Sequence, residues 1–206
     1  MLKTHQAAGG LAAAGYLYLT HEPFLSVVGV VGLCAGYMAA PLPDVDSPNS
    51  VPARTLAPIA WALEAARIRH RTLTHTVWVL GALFWLVQMA AHSRVGNVPL
   101  YPILMAAWVG VASHPLVDML TVDGVPLFWP LLAKQNFRVS RFRTSGPWDN
   151  VFHGLFIFLM IALVLWWGVQ TVPFLHALFY HGQALVHRVD RGVPGAVRDY
   201  VGRLHK

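Results

Sequence analysis

Long uncharged apolar runs alternate with short polar segments along this chain. Phe24–Leu42 runs for 19 residues without a charge, and Leu73–Ala91 runs for 19 without Lys, Arg, Asp or Glu. Pro99–Leu120 holds one carboxylate, Asp118, near its end, and Val151–Val172 is the strongest run, 22 residues with two tryptophans. About 20 apolar residues carry a helix across the hydrocarbon core, so four spans are predicted. Ala7–Thr20 is weaker and only 14 residues long. It reads as a short span, a re-entrant piece or an interfacial helix. Pro173–Val186 is weaker still and is interrupted by His176 and His181. The five prolines of Pro41–Pro58 predict a loop at its start. The expected architecture is an all-α integral membrane protein of four to six transmembrane or interfacial helices. Residues 1–172 form the helical membrane domain, and 173–206 a short or interfacial helix with a basic tail.

Following the chain from span to span sorts the polar segments by side. Asp44 and Asp46 lie where Phe24–Leu42 ends. The next segment stays on that side, and Leu73–Ala91 starts there, with His70 and His75. Pro99–Leu120 returns to the same side and brings His114 and Asp118 to it. Asp149 and His153 begin the last span there, and His5 joins them if Ala7–Thr20 also crosses. Span parity alone therefore places every cluster of metal-ligand residue types at one membrane face.

Charge names that face. Its loops carry Arg54, Arg67, Arg69, Arg71, Lys134, Arg138, Arg141 and Arg143, whereas the loop on the other side carries only Arg94. Basic loops stay cytoplasmic, so the clusters are expected to face the cytoplasm from the inner (plasma) membrane. Only 12% of residues are charged, against about 25% in soluble domains. The formal net charge of +6 is accordingly read as topology, and nucleic acid is not an expected partner. The lipid bilayer is. The single cysteine, Cys34, excludes an intramolecular disulfide and a thiolate metal cluster. Cys34 is expected to pack as a small hydrophobe.

Ionisable groups within or beside apolar spans are costly and tend to be functional. His114 and Asp118 stand four residues apart, about 40° around a helix, and so share a face. Pro115 between them weakens the helical ladder. His70 and His75 are five apart and converge only if His70 is in a loop and the helix starts near Thr72 or Thr74, either of which can cap it. Asp44 and Asp46 face one site only if the chain is extended there, and they repel unless a cation or base lies between them. Asp149 and His153 repeat the four-residue spacing, although an N-terminal helix cap alone accounts for Asp149. Taken singly, these clusters also read as turns, caps and headgroup contacts. Imidazole and carboxylate donors without thiolate suit zinc, manganese, iron or magnesium. With this many donors, two ions are feasible, an arrangement that activates water and stabilises the leaving oxygen in phosphoester hydrolysis.

Three stretches resemble the YdjM-like family: Pro43-Asp44-Val45-Asp46-Ser47-Pro48-Asn49-Ser50, His70-Arg71-Thr72-Leu73-Thr74-His75-Thr76, and Ser113-His114 through Asp118 to Asp123-Gly124 and Trp129-Pro130. His5 and the basic Phe137-Arg138-Val139 also fit, and the likeness spans roughly residues 5–155. Members are described as LexA-regulated, membrane-bound, metal-dependent hydrolases. Thr72, Ser47 and Asp149 depart from the family pattern, where glycine, histidine and glutamate are usual. More distantly, the family resembles zinc-dependent phospholipase C and single-strand nucleases, which implies phosphoester hydrolysis.

The resulting expectation is a membrane hydrolase that uses one or two divalent ions, zinc first and manganese, iron or magnesium as alternatives. Its metal candidates are His5, Asp44, Asp46, His70, His75, His114, Asp118, Asp149 and His153. Arg71 and Arg138 are candidates to neutralise a phosphoester or lipid substrate, and Asp123 to act as base or further ligand. The rival reading is a divalent-metal transporter or sensor without turnover. A transporter would place its site near the midplane, whereas these clusters fall at span ends. The oligomeric state is left open.

Overall fold

The computed structural model describes residues 1–180 except 133–134, 144–145 and 174. It is mostly helical: α1 (Leu2–Leu19), α2 (Val27–Ala39), α3 (Val51–Thr55), α4 (Ala57–Ala65), α5 (Val77–Met89), α6 (Tyr101–Asp118) and α7 (Pro147–Thr171). A two-stranded ribbon, β1 (Arg94–Val95) and β2 (Val98–Pro99), turns the chain between α5 and α6 around Gly96, whose φ of 57° lies in the left-handed region.

Helix α1 is the hub, packed against α2, α6 and α7. The sequence made Ala7–Thr20 the weaker segment; in the structure it belongs to an 18-residue helix. Its glycines and alanines lower its hydropathy and are also what lets neighbouring backbones approach. Gly9 lies against Ala40 and the Gly36 carbonyl, and Gly110 of α6 lies against the backbone of Gly36 of α2. Beside this seam, Ala13, Leu17, Val28, Ala106 and Trp167 form the apolar core. The Trp167 indole N–H donates to the Glu22 carbonyl at 2.7 Å, tying α7 to the loop after α1.

Among the described residues, two segments are long and apolar enough to cross a membrane, Val27–Asp46 and Pro147–Thr171. Outside them, α5 is shorter than the run Leu73–Ala91. Leu73–His75 forms a separate 3-10 turn, and Thr76, not Thr72 or Thr74, caps the helix by accepting from the Val79 N–H. The outer faces are apolar: Trp85 is 61% exposed and Phe158 68%. Exposed apolar area on that scale is what a membrane or a partner protein would cover. Cys34 also lies on an exposed face, contrary to the expected burial. The predicted basic tail falls outside the described residues, as do His181, His187 and His205.

Candidate metal centre

Four chain segments bring their polar ends together at one end of the bundle. His5 comes from the first turns of α1. Asp44 and Asp46 come from a 3-10 turn, Leu42–Asp46, in place of the expected extended loop. Pro41 and Pro43 fix φ at values that suit such a turn. His70 and His75 precede α5, and His114 and Asp118 end α6, which runs through Pro115 without interruption. Seven of the nine candidate ligands thus meet, and His5, His75, His114 and Asp118 are almost wholly buried.

The spacing of their ligand atoms is informative. His114 Nε2 lies 3.3 Å from Asp44 Oδ1 and 3.6 Å from Asp118 Oδ2. His75 Nε2 lies 3.5 Å from Asp118 Oδ2 and 3.8 Å from Asp44 Oδ1. His5 Nε2 is 3.4 Å from Asp118 Oδ1. Good nitrogen–oxygen hydrogen bonds fall at about 2.7–3.2 Å. Two donors about 2.0–2.1 Å from one tetrahedral ion stand about 3.3 Å apart. Among the described residues, His75 Nε2, His114 Nε2 and Asp118 Oδ2 have no hydrogen-bond partner although all are buried. Buried polar atoms are rarely left so. Unpaired donors spaced in this way fit a shared cation better than a set of ion pairs, and the donor types suit a divalent ion.

The surrounding contacts orient these atoms. His114 Nδ1 donates to the Ala40 carbonyl at 2.9 Å, which leaves Nε2 the free lone pair. The ring of His5 stacks on that of His114 with centroids 3.7 Å apart. Asp46 faces the other way: it accepts from the Arg71 backbone N–H at 3.0 Å and from the Thr74 hydroxyl, and pairs with His70 Nδ1 at 2.7 Å. That hydrogen bond, ahead of the opposing burial, raises the His70 pKa above its ordinary value. Asp44, Asp46 and His70 still offer three ligand atoms within 4.8 Å of one another. Bound imidazoles must give up their protons. Metal affinity should therefore fall as the pH is lowered to about 6, read by competition with a chelator of known affinity. An affinity flat with pH would argue against imidazole ligation.

The other candidates lie elsewhere. Arg71 is already engaged, donating to Asp118 Oδ1 at 2.9 Å, to Thr121 Oγ1 at 3.2 Å and to Asp123 Oδ2 at 3.3 Å. Asp123 is largely exposed, and Arg138 donates to the Val122 carbonyl at 2.8 Å. Asp149 accepts from the Thr4 hydroxyl and faces the Met1 amino group at 3.5 Å, while His153 Nδ1 donates to the Lys3 carbonyl at 3.1 Å. This pair clasps α7 to α1 and is not drawn into the cluster. Asp149→Asn should cost about 1 kcal/mol in thermal unfolding and leave metal content unchanged.

Comparison with known proteins points to one family. The model of the YdjM inner membrane protein family matches residues 1–181. The chain belongs to that family. Among its relatives, the inner membrane protein YdjM of Escherichia coli (strain K12) is 31% identical over 137 residues, 64% of this chain and 63% of that protein. The YdjM of Shigella flexneri matches to the same extent. The uncharacterized protein YvsG of Bacillus subtilis (strain 168) is 31% identical over 131 residues, 62% of this chain and 72% of that one. No solved structure matches. Family membership makes the chain an inner membrane protein, and the buried His/Asp groups could hold a metal ion.

Proposed function

We propose that this YdjM-family protein is a multi-pass inner-membrane hydrolase of phosphoester bonds that depends on a divalent ion. The observation that carries the reading is the set of orphaned, buried ligand atoms on His75, His114 and Asp118. With His5 and Asp44 these residues would hold one ion, zinc first and manganese, iron or magnesium as alternatives. Asp44, Asp46 and His70 would serve a second. A divalent ion in such a setting supplies Lewis acidity and a water acidic enough to act near neutral pH.

The chain's own groups have separate tasks in this reading. Arg71 fixes Asp118 through Oδ1 and leaves Oδ2 free. Asp46 holds the 70–74 segment in place through His70, the Arg71 backbone and Thr74. Asp123, 65% exposed beside Arg71, is the candidate base. Arg138 holds the loop after α6 through the Val122 carbonyl. Helices α2, α5, α6 and α7 would cross the bilayer with α1 among them, and the basic segments around the site would keep it cytoplasmic. A position at helix ends favours hydrolysis over transport.

The test uses purified full-length protein stripped with a chelator and then reloaded. Hydrolysis of p-nitrophenyl phosphate or of phosphatidic acid should appear only on reloading. Metal uptake without turnover on soluble and lipid phosphoesters would favour the metal-sensor or transporter reading instead.

A further inference from the structure

A cavity of about 930 Å³ opens beside the cluster, its wall including His5, Asp44 and His70. His5 is buried, while Arg67 and Arg69, also on the wall, are exposed, so the arginines mark its outer side. Arg71 lines it too, but its charge is already met by Asp118 and Asp123. Arg67 and Arg69 have no carboxylate within 4.0 Å among the described residues. The backbone adds a second observation. Arg67 and Arg71 hold φ of 53° and 60°, a left-handed conformation that glycine adopts freely and arginine does not. At both ends of this strap the chain keeps a cationic side chain where the backbone would favour glycine.

We propose that Arg67 and Arg69 form an anion subsite at the outer side of the cavity, which takes the phosphate group of a phosphoester and presents it to the His/Asp cluster. The inference rests on the hydrolase reading and names the group that such an enzyme would grip. A phosphate monoester carries about −1.5 to −2 at pH 7, which two unmatched guanidinium groups complement, and the planar fork of arginine suits bidentate contact with its oxygens. Ile68, Pro126 and Trp129 give the same cavity an apolar side. The phosphate therefore belongs either to a lipid headgroup or to a soluble ester.

Inorganic phosphate titrated into purified full-length protein by calorimetry tests the subsite. Metal-loaded wild type should bind it, and the Arg67→Gln/Arg69→Gln double variant should bind it about tenfold or more weakly, the worth of a charged hydrogen bond. Metal content should not change. Arg54→Gln, outside the cavity, should behave as wild type. Arg67→Gly separates function from folding: it should weaken phosphate binding while keeping or raising the thermal midpoint, because glycine suits that φ. Unchanged phosphate affinity in the double variant, or no binding by metal-loaded wild type, overturns the subsite. Arginine-dependent phosphate binding in wild type that takes up no metal keeps the subsite and overturns the metal centre instead. Glycerol phosphate and phosphatidic acid in phosphatidylcholine nanodiscs are then set to compete with inorganic phosphate. The competitor that succeeds identifies the source, and failure of both overturns a phosphoester site.

Discussion

His114→Ala is expected to weaken metal binding by more than about 100-fold, because losing a residue that merely orients a ligand already costs about 10–100-fold. His114 has the strongest claim among the candidates. It is wholly buried, its Nδ1 is held by the Ala40 carbonyl, and its Nε2 points at Asp44 and Asp118 without a hydrogen bond. Elemental analysis of purified protein gives the stoichiometry, and chelator competition gives the affinity. Asp118→Asn is the companion variant: it keeps the side chain's shape, and should lose metal for want of charge without opening a cavity. His153→Ala should keep the wild-type content, since its ring serves the Lys3 carbonyl. Equal metal in all three variants would remove the centre, and with it the proposed hydrolysis. Phosphoester turnover, where present in wild type, should vanish in the first two variants and persist in the third.

The convergence of the clusters was legible because it needs only span counting. Each of Asp44, His75 and Asp118 stands at the end of an apolar run, and helices that reverse direction bring such ends together. The pairing of His114 with Asp118 followed from helical spacing alone. Other features turn on contacts that no periodicity encodes. The Asp44–Asp46 turn is 3-10 and not extended, so the two carboxylates diverge, one towards His114 and the other towards Arg71 and Thr74. Arg71 resembles a free phosphate ligand in sequence, yet its guanidinium lies between Asp118 and Asp123. Asp149 and His153 repeat the ligand spacing but meet the start of α1, where Thr4 and the Lys3 carbonyl are waiting. Hydropathy ranks α1 low for a physical reason: the small residues that weaken its apolar signal are the ones that let α2 and α6 pack closely against it.

That central seam carries the second large effect. Gly110→Ala should destabilise the protein by about 3 kcal/mol, the upper end of overpacking costs. The added Cβ would meet the carbonyl, carbon and Cα of Gly36, all backbone atoms that no rotamer change can move aside. Alanine's helical advantage over glycine, about 0.5–1 kcal/mol, is too small to offset this, so α2 and α6 must separate. Gly81→Ala on α5 isolates the propensity term, because none of the described residues lies within 4 Å of its added Cβ. It should be neutral or stabilising by about 0.5–1 kcal/mol. The seam also reaches the metal centre. Gly36 lies one turn before Ala40 on α2, and Gly110 one turn before His114 on α6, so the strained contact sits directly behind the hydrogen bond that orients the His114 ring. Separation of the two helices should lengthen that bond and lower metal affinity together with the thermal midpoint. A Gly110→Ala protein that unfolds earlier but binds metal as wild type would show that the seam supports the fold without setting the geometry of the site.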